Sequence, residues 1–177
     1  QKLGVNAIGL SGIDGRLMIG KRNSAVKIIE DGKKKIVRDD YTGKVEKINV
    51  AILKLFLDNG YMPVITAPAL SYENEAINVD LDPAAATIAA QLKAEILIIF
   101  SNITGLLKNK DDESSLIKEI RKEDIDNFMQ YAVDRMKKKV LGAKMALEAG
   151  VKKVIFADAR IKNPVTEALN GKGTVIE

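Results

Sequence analysis

The sequence contains no cysteine, no histidine and no tryptophan, and aromatics make up only 5% of it. Without cysteine there are no disulfides and no thiolate zinc sites. Without histidine there is no imidazole base, no Ser-His triad and little scope for a transition-metal centre. No apolar run approaches 18 residues, so a membrane span is not expected, and neither is a signal peptide. Any chemistry must therefore run on Lys, Arg, Asp, Asn, backbone amides and a hard metal ion. The missing cysteine, with abundant Ile, Lys and Glu, also fits a thermophilic source.

What is present is a globular composition, 46% hydrophobic and 29% charged over 177 residues, with the size of one domain or a large piece of one. The net charge of +4 is unevenly spread. Between Arg16 and Lys47 stand ten Lys or Arg against five acids, so the whole surplus lies in that stretch. A solvated hairpin face would explain it, and so would a docking surface for an acidic partner. Nucleic acid fits less well, since only Tyr41 is there to stack on bases. In the same stretch, Asp31-Gly32 between two strand-like runs predicts a hairpin. Short strands are expected from Val5 to Ile48, with Ser11 to Gly15 as a tight turn.

The period then changes. Asn49 is expected to cap a helix over 50–58, followed by a strand over 62–67. A polar turn over 78–82 precedes an Ala-rich helix, with Asp82 as its cap and Pro83 at its first position. The run 96–100 reads as a strand covered on both faces, as in parallel sheets. Ser101, Asn102 and Gly105 fall at its carboxyl end, where such sheets bind ligands. A short strand near 116–120, helices over 123–133 and 138–149, a strand over 154–157, a helix over 165–169 and a strand over 174–176 complete the chain. The fold class expected is α/β, a three-layer α/β/α arrangement with a largely parallel sheet and a β-rich basic hairpin region near the start.

Three features are candidates for chemistry. Residues 78–82 form either a capped helix start or a site, and the residue types allow both. Residues 101–105 are polar at a strand end. Lys137, Lys138 and Lys139 follow Met136 where a helix begins, although the dipole there repels cations. An anion such as phosphate between them would resolve that conflict.

Together these features, in this order and spacing, resemble the amino acid kinase family, and within it the acetylglutamate kinase group. The matching motifs are Gly9-Leu10-Ser11-Gly12 with Asp14-Gly15, Asn78 and Asp82 before the Ala-rich helix, Ser101 to Leu106, Met136 to Lys139, and Gly173 to Ile176. The stretch Tyr41-Thr42-Gly43-Lys44, read as a turn, is similar to the subgroup that acts on aminoadipate or glutamate attached to an amino-group carrier protein in lysine and arginine biosynthesis. Asn102, Arg135 and Ala159 depart from the family pattern, which has Asp, often Gly, and Gly at those places.

The resemblance implies an ATP-dependent phosphotransferase acting on a side-chain carboxylate, with ATP and Mg²⁺ as cofactors. Lys139 would stabilise the transferring phosphoryl group and Asp82 would orient lysines. Asn78, Lys44 and Tyr41 would bind the acceptor. Ser101, Asn102, Gly105, Leu106 and Met136 would bind nucleotide, with no protein metal ligands. A small acidic carrier would be the partner, and a cytoplasmic homodimer without nucleic-acid or membrane partners is expected. The chain would be a single amino acid kinase domain lacking its N-terminal part, with 1–70 from the acceptor lobe and 71–177 the nucleotide lobe. The alternatives are a kinase of free acetylglutamate and a catalytically silent nucleotide- and carrier-binding module.

Overall fold

A computed structural model describes residues 2–30, 33–37 and 40–177, except for the side chains of Val26, Lys27, Ile28, Glu30, Lys34 and Val37. The expected Asp31-Gly32 turn and Arg38 lie outside the described residues. The chain forms two compact units, Gln1–Ala84 and Ala85–Glu177. The boundary between these units falls inside an α-helix.

In the first unit, β1 (Ala7–Ser11) pairs in parallel with β6 (Met62–Thr66). The turn after β1 is closed by Asp14, whose carboxylate accepts the Ser11 N–H at 2.7 Å. The strands β2 (Met18–Arg22), β5 (Thr42–Ile48), β8 (Ala76–Val79) and β7 (Ala69–Ser71) close into a small barrel. Alternation sends Ile77 and Val79 inward and leaves Ala76 and Asn78 outside. Met18, Ile48, Ala69 and Leu70 are buried with them. A separate hairpin, β3 (Val26–Glu30) with β4 (Lys33–Val37), carries exposed Lys33 and Lys35. Helix α1 (Val50–Asp58) has the span expected, but Asn49 does not cap it. The Asn49 amide donates instead to the Gly15 carbonyl at 2.9 Å.

Two further readings fail in this unit. Thr42, Gly43 and Lys44 are the first residues of β5 and not a turn. Gly43 is required for close approach, because a Cβ there would lie 2.6 Å from the Lys21 carbonyl oxygen and 2.7 Å from Ile77. Glycine signals a turn and a tight strand crossing equally well. Asn78 and Val79 are likewise strand residues, and helix α2 (Leu81–Leu92) begins one residue before Asp82. The oxygen beside the helix start belongs to Asp80, which accepts the Asp82 N–H at 3.3 Å. Asp82 is therefore a first-turn residue, still on the side of the dipole that favours an anion.

In the second unit a four-stranded sheet runs in the order β10 (Glu119–Ile120), β12 (Thr174–Ile176), β11 (Lys153–Asp158), β9 (Ile96–Ser101). The β9–β11 and β10–β12 pairings are parallel and β11–β12 is antiparallel. Helix α4 (Arg135–Glu148) buries Met136, Val140, Ala143 and Leu147, a stripe at helical spacing, against Val154, Phe156 and Ile176. The short α5 (Pro164–Leu169) covers Ile155 and Ala157 with Ala168. This is the expected α/β class with largely parallel pairing.

The helix expected over 123–133 is broken. Two 3-10 segments, Lys122–Asp124 and Met129–Tyr131, flank the four-residue α3 (Ile125–Phe128). Asp126 and Asn127 stand in the middle, and such side chains compete with the helical backbone for hydrogen bonds. Only Ile125 is buried in this helix, so packing does little to correct them.

The Gly43 contact yields a first prediction. Gly43→Ala should lower stability by about 1–3 kcal/mol, the usual cost of forcing an extra carbon into a packed position, read as a lower urea midpoint. An unchanged midpoint would show that β2 and β5 separate freely.

Candidate active site

Taken unit by unit, the sequence-nominated residues fall into two groups. In the first unit, Thr42 and Asn78 are register partners in the parallel β5–β8 ladder. The Asn78 N–H donates to the Tyr41 carbonyl at 2.7 Å. Lys44 and Asn78 are exposed on these neighbouring strands, as is Tyr41 just before β5, and Asp82 is half-buried in the first turn of α2. Asp40 shapes the entry to β5, accepting the Thr42 N–H at 2.6 Å. Hydrogen bonds from Thr42, hydroxyl first, hold the Asp40 carboxyl below the usual carboxylate range, with Arg22 adding to the effect.

In the second unit, Ser101 ends β9 and the chain turns through exposed Asn102 to buried Gly105 and Leu106. Gly105 has φ +153, and a Cβ there would lie 2.6 Å from the Thr174 hydroxyl. That hydroxyl is wholly buried. It accepts the Leu106 N–H at 2.8 Å and donates to the Ile117 carbonyl at 2.6 Å. The closing Gly-Thr motif therefore serves the polar loop through Thr174. The Thr104 hydroxyl oxygen is also buried, without a hydrogen-bond partner among the described residues.

A cavity of about 150 Å³ opens beside this loop. Leu106 and Met136, both nominated from sequence, line it with Leu107 and Tyr131, and Lys110 and Asp134 add opposite charges. Apolar walls with a few charged groups suit a flat heterocycle carrying polar substituents. Ser101, Asn102, Gly105 and Lys139 are not among its lining residues. Asp134 precedes α4 with φ 49° and ψ −119°, a conformation that costs a non-glycine residue energy.

Helix α4 begins at Arg135, three residues before the start expected from sequence. The lysine triplet thus lies inside its first two turns. Lys137 and Lys138 are exposed, whereas Lys139, one turn on from Met136, is half-buried. Among the described residues no group of three or more Asp or Glu is placed to hold a metal ion.

Sequence reasoning missed Asp158 and Arg160, which sit at the carboxyl end of the same sheet. Asp158 is the register partner of Ser101, and the Ala159 N–H donates to the Ser101 carbonyl at 2.8 Å. Arg160 binds Asp158 through Nε at 2.9 Å and Nη2 at 2.8 Å, and Nη2 also reaches Glu113 at 2.8 Å. Asp158 is 6% exposed. The Arg160 side chain, aided by its backbone N–H, holds the carboxyl below the usual range despite burial, and the two carboxylates raise the Arg160 value in turn. The only sequence signal was Arg160 itself, beside the departure at Ala159.

The chain belongs to the amino acid kinase family, whose model matches residues 1–158. It is 55% identical to the "[LysW]-aminoadipate kinase" of Thermus thermophilus over 99% of this chain and 66% of that protein. It is 53% identical to the protein of the same name from Deinococcus radiodurans, over 99% of this chain and 60% of that protein. The chain thus spans about two thirds or less of these relatives' length. Among solved structures, N-acetylglutamate synthase from Neisseria gonorrhoeae shares the fold, with a TM-score of 0.79 at 23% identity over 98% of this chain and 38% of that one.

The Asp158 pair makes stability depend on pH. A lowered carboxyl value means that the folded state prefers the ionised form. The pair's contribution is complete above the unfolded value of about 3.9 and fades as pH falls through the lower folded value. Asp158→Asn should lose stability at neutral pH and show a flatter decline of melting temperature below about pH 4. Parallel curves for variant and parent would rule this out.

Proposed function

We propose that the protein of which this chain is part is an ATP-dependent kinase. It phosphorylates the side-chain carboxylate of aminoadipate or glutamate attached to an amino-group carrier protein. The observation that carries the proposal is the 55% identity, over nearly the whole chain, to a kinase named for carrier-linked aminoadipate. The residue chemistry supports it. A carboxylate acceptor is already ionised at neutral pH, so attack on the γ-phosphate needs no general base, and a chain without histidine loses nothing. Catalysis reduces to positioning and to neutralising charge on the phosphoryl group.

In this reading the unit Ala85–Glu177 takes the nucleotide. Its base enters the cavity walled by Leu106 and Met136, and the phosphates lie toward Ser101, Asn102 and Gly105. Lys139 supplies the cation at the transferring group. Half-burial favours it over Lys137 and Lys138, because a partly desolvated charge acts more strongly than a solvated one. Mg²⁺ accompanies the nucleotide and neutralises charge on its phosphates. The unit Gln1–Ala84 binds the acceptor with Tyr41, Lys44 and Asn78, and Asp82 acts through its charge by orienting lysines. The exposed cations of the early strands face the acidic carrier. A cytoplasmic homodimer completes the reading.

Turnover of the full-length protein on carrier-linked aminoadipate, carrier-linked glutamate and free acetylglutamate is the direct test. A preference for either carrier-linked form supports the proposal. Equal turnover of free acetylglutamate would favour the acetylglutamate kinase alternative. Nucleotide binding with no phosphoryl transfer would leave a silent module. Within an active protein, Lys139→Ala should cut kcat by on the order of 10² or more, while Lys137→Ala and Lys138→Ala stay within severalfold.

Asp82→Asn separates two roles. Asn is as good as Asp at a helix start, so collapsed activity with an unmoved melting temperature identifies a charge role. An active variant reduces Asp82 to local structure.

Electrostatic docking should appear in association rate and fade as salt shortens the screening length. Replacing Lys33 and Lys35 with Ser should raise KM for carrier-linked acceptor, leave KM for ATP unchanged and flatten the salt dependence.

A further inference from the structure

One residue of the basic stretch is engaged in a way the nucleotide and docking readings leave unexplained. Arg22, the last residue of β2, lies with its Cζ 3.9 Å from the centre of the Tyr41 ring. It is held there from two other directions. Its Nη1 donates to both Glu75 carboxylate oxygens at 3.1 Å, and its Nε donates to the Asp40 carbonyl at 2.9 Å. The Arg22 side chain is only 21% exposed, against 53% for Tyr41. An exposed pair of this type would ordinarily contribute little, but here three partners fix one planar group.

The consequence falls on Tyr41. Its backbone carbonyl is tied to the Asn78 N–H at 2.7 Å, and its ring rests on Arg22, so little freedom remains to it. An aromatic face carries a negative quadrupole and by itself repels carboxylates. A guanidinium on that face offsets the negative potential. The proposed acceptor carries a carboxylate, so a bare tyrosine would be a poor wall for it and a cation-backed tyrosine a good one. We propose that Arg22, clamped by Glu75, is a positioning residue that fixes the Tyr41 ring and makes it compatible with an anionic acceptor, setting acceptor affinity without touching the phosphoryl group. This rests on the carboxylate-kinase reading.

The test is a double-mutant cycle in the full-length protein. Arg22→Met keeps the side chain's length and removes its charge. It should raise KM for carrier-linked aminoadipate about three- to tenfold, the scale of a partly desolvated cation–π contact. KM for ATP and the melting temperature should barely move. Arg22→Lys, with a cation but no planar fork, should fall between. Tyr41→Leu should raise acceptor KM by itself, and adding Arg22→Met to it should change nothing further.

An equal Arg22→Met effect with and without the Tyr41 ring would overturn the proposal, as would a matching rise in KM for ATP or no rise at all. If Arg22→Met does not fold, Arg22→Lys on the two Tyr41 backgrounds makes the same comparison. Failure of the parent protein to turn over either carrier-linked acceptor would defeat the kinase reading and this proposal together. An active parent with an unmoved Arg22 variant would defeat the proposal alone.

Discussion

The second unit depends on a single buried hydroxyl. Thr174 joins the last strand, the loop after β9 and the segment entering β10 by accepting one backbone hydrogen bond and donating another. Both partners are main-chain groups of irregular segments, which have no ladder to satisfy them. Away from water such groups cost about 1–3 kcal/mol each if left unpaired. Closing the sheet with β12 thus completes the loop that begins at Ser101. Gly105 meets the same hydroxyl with a conformation and a clearance that exclude a Cβ. Two short motifs almost seventy residues apart are one piece of structure.

The sheet end around this hydroxyl is held by charge as well. Arg160 is fastened to a nearly buried carboxylate and still reaches Glu113, whose 3-10 segment belongs to the same loop region as the cavity residue Lys110. A guanidinium has enough donors in one plane to do both. Its surface half is worth little alone, but the Asp158 half is preorganised, so the loop meets an arginine already in place. Ser101, Asp158 and Thr174 lie on three adjacent strands of one sheet.

Much of this was legible in the sequence, for physical reasons that differ from element to element. The run 96–100 is the strand its apolar residues predicted, although only Ile99 in it is buried and Ile96 is exposed, and the apolar stripe of α4 follows from its spacing. The motifs from Ser101 to Leu106 and from Met136 to Lys139 do meet, through Leu106 and Met136, at one cavity. The failures share a cause, which is that a local signal has more than one structural solution. Gly43 marked close approach between strands instead of a turn, because both demand a missing side chain. Asp82 resembled a cap, but Asp80 lies at the helix start and Asp82 enters the first turn. The broken 122–131 segment had a helical period without the buried face to enforce it. Arg22 was visible only as one cation of the basic stretch and Arg160 only beside the departure at Ala159, since their partners Glu75 and Glu113 lie far along the chain and only the fold brings them together.

The chain's positive charge serves more than one end. Counted along the sequence, Arg16 to Lys47 holds a surplus; followed through the structure, its members do different things. Arg16 donates to Asn74 and Arg22 is committed to Glu75, Asp40 and the Tyr41 ring, so neither meets a partner as a solvated cation. Lys33 and Lys35 stand exposed on the hairpin, where long-range attraction is what an exposed ammonium can supply. Lys44 lies on β5, exposed, two residues from the Thr42–Asn78 pairing. Under the proposed function, the exposed hairpin lysines would steer a partner, whereas Arg22 and Lys44, on the strands beside Tyr41 and Asn78, would shape where its cargo lies. A solvated hairpin explains the first group as well as a docking face does. It does not explain why an arginine at the end of β2 should be clamped beneath an exposed tyrosine, and that arrangement gives the charged stretch its chemical direction.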